Sequence, residues 1–226
     1  MRPILVLLVL LTALSLSGAE QSDPRFEKWL DSSRKVFSSH HLIAYARLAH
    51  LDRKGGEIEF RYDRYPDGIE RVQRSDGAAL ARKKGKNWLE SQDWGETGEP
   101  ATAKTIKQTG VLIAYVDLPL TNKHESRDKS QGADVTRVID QRKTDEGNEE
   151  IVFELGREHQ TQANYPKYTF FRYKDAAPDD VILSEFSGPI YDSGGGKVQL
   201  DVRYEYMIAV KIDKMNVITP TPSNER

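Results

Sequence analysis

Lys197-Val198-Gln199-Leu200-Asp201-Val202-Arg203-Tyr204-Glu205-Tyr206-Met207-Ile208-Ala209-Val210 has the most regular alternation in the chain. Val198, Leu200, Val202, Tyr204, Tyr206, Ile208 and Val210 alternate with Gln199, Asp201, Arg203, Glu205, Met207 and Ala209. A period of two puts one set on each side of a strand. One apolar and one mostly polar side marks an antiparallel sheet with one face wet.

Upstream of this strand, residues 136–142, 150–156, 167–173 and 181–187 read as further strands. An earlier series begins at 42–51 and continues at 57–65. In the second of these, Ile58, Phe60 and Tyr62 point one way and Glu57, Glu59, Arg61 and Asp63 the other. Pro66-Asp67-Gly68 turns the chain into a strand at 69–74. Asp76-Gly77 and Lys84-Gly85-Lys86 bound a short strand, and 87–90 is another. Strands separated by tight turns form meanders.

Two helices interrupt the strands. Asp23-Pro24 is an N-terminal signal, and Phe26, Trp29, Leu30, Ser33, Val36 and Phe37 recur at spacings of three and four. This predicts a helix over 24–38. A second helix is predicted over 101–115, with Ala103, Ile106, Lys107, Gly110, Ile113 and Ala114 on one side. The polar stretches 91–100 and 121–134 read as loops. The class is therefore α+β, mainly antiparallel β, as a curved open sheet with the N-terminal and central helices on its concave side.

The chain begins with a three-part leader. Arg2 supplies a positive charge, residues 4–16 are almost wholly apolar, and Ser17-Gly18-Ala19 offers small residues for cleavage. That is the build of a secretory signal peptide, with the cut expected after Ala19. The apolar run is shorter than the ~20 residues of a bilayer span. No later run approaches that length, the longest being 111–118, which Asp117 interrupts. The expected organisation is a signal peptide at 1–19, one β domain at 20–217 and a disordered tail at 218–226. There is no cysteine, so neither a disulfide framework nor a lipid-bearing cysteine is available. The formal net charge of −2 lacks the basic excess of a general nucleic-acid binder. These features point to a periplasmic or secreted protein that is not a lipoprotein, with no nucleic-acid partner and no transmembrane segment after cleavage.

Catalytic and metal-binding patterns are not found. His40 and His41 are adjacent and point to opposite sides of a strand, and no His-x-x-x-His spacing occurs among the five histidines. They read as surface or helix-end residues. Asp192-Ser193-Gly194-Gly195-Gly196-Lys197 lacks the Ser or Thr and the following helix of a phosphate loop. Glu57 and Glu59 share a strand side with Arg61, which fits a solvated salt-bridging face. Trp88 and Trp94 bracket a polar loop and fit either a ligand mouth or the end of a core. No catalytic residue, metal ligand or cofactor is assigned, and the chain is not read as an enzyme.

The layout resembles the LolA/LolB-like superfamily of exported lipoprotein carriers and lipid-binding proteins. The stretches that carry the resemblance are the helix after the leader, the strand at 42–51, and Gly56-Glu57-Ile58-Glu59-Phe60-Arg61-Tyr62 running into Pro66-Asp67-Gly68-Ile69-Glu70-Arg71-Val72. Ser75-Asp76-Gly77 followed by Lys86-Asn87-Trp88 is similar to a turn and aromatic strand of that family. The charged strand tips and the 121–134 stretch depart from it. The resemblance implies an incomplete antiparallel barrel with an apolar cavity beneath its helices. The expected function is binding or carriage of a lipid, a lipoprotein acyl chain or another apolar ligand. Ile58, Phe60, Tyr62, Trp88, Phe171, Tyr204 and Tyr206 are the expected cavity lining. The alternative is a non-catalytic structural or interaction protein of the bacterial envelope, with envelope proteins as partners.

Overall fold

The computed structural model describes residues 22–50, 56–75, 77, 79–83, 86–91, 98–121, 134–157, 165–178, 180–191 and 196–207. The expected leader, Trp94, most of the 91–100 and 121–134 stretches, the glycine-rich stretch at 192–195, the end of the last expected strand at 208–210 and the expected tail lie outside these residues. Among the described residues there are two helices, α1 (Arg25–Ser39) and α2 (Ala103–Thr121). The strands are β1 (His41–His50), β2 (Ile58–Arg64), β3 (Ile69–Arg74), β4 (Ala79–Lys83), β5 (Leu89–Glu90), β6 (Glu99–Pro100), β7 (Asp134–Lys143), β8 (Glu149–Arg157), β9 (Lys167–Arg172), β10 (Ile182–Tyr191) and β11 (Lys197–Met207). They form one open antiparallel sheet of eleven strands in the order β6-β5-β4-β3-β2-β1-β11-β10-β9-β8-β7. The expected α+β class and two-meander layout are what the structure has.

The two meanders meet through their oldest and newest strands. β1 pairs with β11 from His41 opposite Met207 to His50 opposite Val198. This register places Leu42, Ala44, Ala46 and Leu48 level with Tyr206, Tyr204, Val202 and Leu200. On the other side, β2 brings Tyr62 opposite Ala44 and Phe60 opposite Ala46. Aromatic residues thus face alanines across the ladder, which leaves each ring room to lie over the sheet.

α1 lies across this apolar face. Its 15 residues give about 22 Å, close to the ~19 Å from β8 to β1 at strand spacing. Phe26 meets Phe153 of β8 and Tyr168 of β9 edge-on, at centroid distances of 5.6 and 4.9 Å. Trp29 meets Phe170 of β9 at 5.8 Å. Further along, the Ser33 hydroxyl accepts the Leu183 N–H of β10 at 2.8 Å and donates to the Trp29 carbonyl. Phe37 then stacks on Tyr204 of β11 at 5.3 Å. Burial of each aromatic contributes roughly 1.5–3 kcal/mol, and a helix this short needs such packing to persist.

Several expectations shift by a residue or more. α1 starts at Arg25, with Pro24 in the cap position and the Asp23 carboxylate accepting the Arg25 N–H. β6 forms inside the stretch expected to be loop, since Leu89 pairs with Pro100 and Glu90 with Glu99. β10 runs past residue 187 to Tyr191 despite Pro189. Its pairing with β9 ends at Ser187 opposite Lys167, so the missing N–H of Pro189 costs that ladder nothing. A bulge at Ser184 puts both Leu183 and Phe186 on the core side, though they are three residues apart. Asp63, expected on the solvated side, is 1% exposed.

Gly188 of β10 is held against the segment that leads into β9. A Cβ there would lie 2.5 Å from the Pro166 Cα, a backbone atom that cannot swing aside. Gly188→Ala is expected to lower stability in urea unfolding by about 1–3 kcal/mol. Gly56→Ala, where nothing lies within 4 Å of the added carbon, should change it by less than about 0.5 kcal/mol.

Candidate functional site: the helix-covered face and its rim

The helix side of the sheet is one apolar cluster. It joins Phe26, Trp29, Leu30 and Phe37 of α1 with Leu112, Val116 and Leu120 of α2 and the inward residues of the sheet. Among the expected lining residues, Phe60, Tyr62, Trp88 and Tyr204 lie within it, and Ile58 and Tyr206 are half-buried at its margin. Phe171 stands apart from the cluster, edge-on to Tyr173 at 4.9 Å. Tyr206 lies near the same tyrosine, and burial together with Tyr173 pushes its hydroxyl up to about 12.

α2 covers the cluster where α1 does not reach. It runs six residues further than the sequence reading placed it, to Thr121, with Pro119 in its last turn. The buried side is also different. Thr109, Leu112, Val116, Pro119 and Leu120 point inward, whereas Ala103, Ile106, Lys107, Gly110 and Ala114 are exposed. The segment from Gly110 to Leu120 is apolar nearly all round, so periodicity does not select a side. Polar ties do. The Tyr204 hydroxyl donates to the Val116 carbonyl at 2.7 Å, and Arg34 of α1 donates to the Leu120 carbonyl. Arg64 of β2 reaches Asp117 at 3.4 Å and the Phe37 carbonyl at 3.4 Å, joining sheet, α1 and α2.

A charged rim borders the apolar interior beside these ties. Arg64 lies opposite Glu70, and Glu70 opposite Arg82. The Tyr62 hydroxyl donates to Glu70 at 2.7 Å, and Arg82 pairs with the same carboxylate. The Arg82 guanidinium sits 4.5 Å from the Trp88 ring centre. Burial pushes the Asp117 carboxyl up against the pull of Arg64, with Glu70 adding to the rise. Burial and the bond to Glu70 push the Tyr62 hydroxyl up as well. The rim is therefore a set of paired charges around a neutral phenol and an indole.

Among the described residues no helix covers the opposite face, which holds a groove of about 590 Å³ lined by charged side chains, Tyr45 and several apolar residues. The register explains its lining. One row across the sheet is Glu185, Arg203, Tyr45, Arg61 and Gln73. The next row is Ser187, Asp201, Arg47 and Glu59. Arg61 and Arg203 flank the Tyr45 ring at 5.6 and 5.0 Å. Alternating charges of this kind stabilise cross-strand pairs. Arg47 pairs with Glu57, as the salt-bridging reading of that face expects.

His41 departs from the surface reading given to the histidines. It is 9% exposed, and its ring stacks on Tyr65 at 3.8 Å. Its Nε2 lies 3.3 Å from Oδ1 of the buried Asp63. Arg61 grips both oxygens of that carboxylate, at 2.8 and 2.9 Å. Burial pushes the Asp63 carboxyl up, but the bonds from His41 and Arg61 outweigh it and hold the group below the usual range. The alternation that put Asp63 outside was right about direction. It missed that long neighbours would close over a short acid.

No family model and no curated protein matches this sequence. Among solved structures, it is similar to a LolA superfamily protein from Nitrosomonas europaea, at 11% identity and a TM-score of 0.32. The match covers 80% of this chain and 93% of that one.

Because the native Asp63 holds its proton less tightly than an unfolded aspartate, it stabilises the fold above the ordinary carboxylate range. That contribution is lost as pH falls through about 4 and below. Asp63→Asn should cost roughly 1.5–3 kcal/mol at neutral pH. It should also flatten the acid limb of the stability curve, measured by urea unfolding at stepped pH.

Proposed function

We propose that the chain is an exported, non-catalytic carrier that holds an acyl chain or similar apolar ligand between the sheet and α2. The observation that carries this reading is the pairing of a continuous apolar sheet face with a helix that is apolar on nearly every side. Such a helix suits both a closed state, in which it seals the interior, and an open one, in which its aliphatic side chains line a bound hydrocarbon. Affinity would come from burying methylenes, at about 0.8 kcal/mol each. Phe60, Tyr62, Trp88 and Tyr204 would be the inner wall, Ile58 and Tyr206 its margin. The paired charges of Arg64, Glu70, Arg82 and Asp117 would border the entrance. The leader-like residues 1–19 and the LolA/LolB-like layout support export and an envelope role.

A second reading rests on the groove around Tyr45. There the protein would be an interaction module, with the helix-covered side as a closed core and the helix-free face against an envelope protein.

Native mass spectrometry of the protein purified from its producing cells separates the two. The carrier reading expects a non-covalent adduct of acyl-lipid mass, and saturable one-to-one binding of a fluorescent fatty acid by the delipidated protein. A lipid-free protein that binds no fatty acid would overturn it and leave the interaction module.

A further inference from the structure

The outward side of α2 is apolar where a surface helix is ordinarily charged. At 100° per residue, Lys107, Val111 and Ala114 fall on one side, opposite Leu112, Val116 and Pro119, while Leu118 is half-buried against the core cluster. Val111 is 47% exposed, and Ile106 at the margin is 37% exposed. The cations of the helix, Lys104 and Lys107, lie in its first two turns and are exposed. Its acid, Asp117, is drawn to Arg64 of the sheet. The free side thus presents aliphatic carbon with positive charge at one end, and the described residues of the helix place no carboxylate there.

We propose that this side of α2 docks on an anionic lipid surface. Val111 and Ala114 would meet the acyl boundary with Ile106 at their margin, and Lys104 and Lys107 the headgroup phosphates. Interfacial helices combine the same two elements, apolar contact and attraction to acidic lipid. Protein interfaces are anchored by aromatic side chains and arginine, and the exposed residues of α2 include neither. The docking surface deepens the carrier reading, since it would set the lid helix at the membrane where an apolar ligand is collected or released. It is read from α2 itself and does not need that reading to hold.

Flotation of the full chain with vesicles tests it, using phosphatidylglycerol mixed with phosphatidylcholine against phosphatidylcholine alone. The wild type should float with the anionic vesicles and less so as salt rises. Lys104→Glu with Lys107→Glu should weaken binding more than about tenfold, since each basic residue near an acidic surface contributes roughly fivefold. Acids near a helix start favour the helix, so α2 should persist in that variant. Val111→Asp should abolish flotation while leaving the thermal unfolding midpoint within a few degrees of wild type. A wild type indifferent to anionic vesicles, or variants that float like it, would overturn the proposal. Loss of self-association without change in flotation would do the same, by assigning the face to a protein contact. Fatty-acid binding measured without vesicles keeps the two readings apart. If the wild type floats but takes no fatty acid, the carrier reading falls and the docking surface stands.

Discussion

The antiparallel ladder between His41–His50 and Val198–Met207 is the constraint on which the rest of the molecule depends. Without it the chain would be two separate meanders, each with an apolar side too small to bury on its own. With it they become one sheet whose inward rows run unbroken from Trp88 on one flank to Phe153 on the other. Its position also dictates the helices. α1 must end at the centre of the sheet, because His40 leads straight into β1. Its aromatic stripe therefore lies over β8 to β11, and the β1–β5 half is left to α2. The outermost strands β6 and β7 do not pair with each other, so the sheet stays open and this second half has a helix for a roof where a barrel would have strands.

The two helices hold the sheet in different ways. α1 is fixed by several edge-on aromatic contacts and by the Ser33 bridge between its own backbone and β10. The ties of α2 include one phenol, one guanidinium of the sheet and one of α1, around a narrower apolar stripe. Asp117, one of the tied groups, resists ionisation where it sits. Its contribution favours the native fold at low pH and fades as pH rises, opposite in sign to that of Asp63. The roof and the sheet centre therefore answer to acid in contrary ways.

Strands were legible because alternation is a local property. Val198 to Tyr206, Ile58 to Tyr62 and the turn at Pro66-Asp67-Gly68 say nearly all that the structure shows of them. The inward placement of Phe60, Tyr62 and Tyr204 followed directly, since they fall on the apolar parity of their strands. What was not legible depends on register or on tertiary choice. The Tyr45 groove exists because Arg61 and Arg203 arrive from β2 and β11 at one level, and no spacing in the sequence encodes that. The bulge at Ser184 breaks parity only in the paired sheet. The buried side of α2 lies about a third of a turn from the expected one because its apolar residues surround the axis, so Tyr204, Arg64 and Arg34 decide the side. Phe171 sits on a strand with two core neighbours, and only its parity against Tyr168 and Phe170 separates it from them.

Carriage of a ligand beneath α2 requires the helix to lift from a sheet that stays intact. Hydrogen exchange resolved by segment reports such local opening separately from global unfolding. The amides of α2 should exchange through openings well below the global free energy, while β1, β11 and α1 exchange only with it. A saturating fatty acid should slow α2 selectively. Exchange of α2 at the same global rate as β1 and β11, unchanged by fatty acid, would contradict that lifting and make the helix part of a closed core.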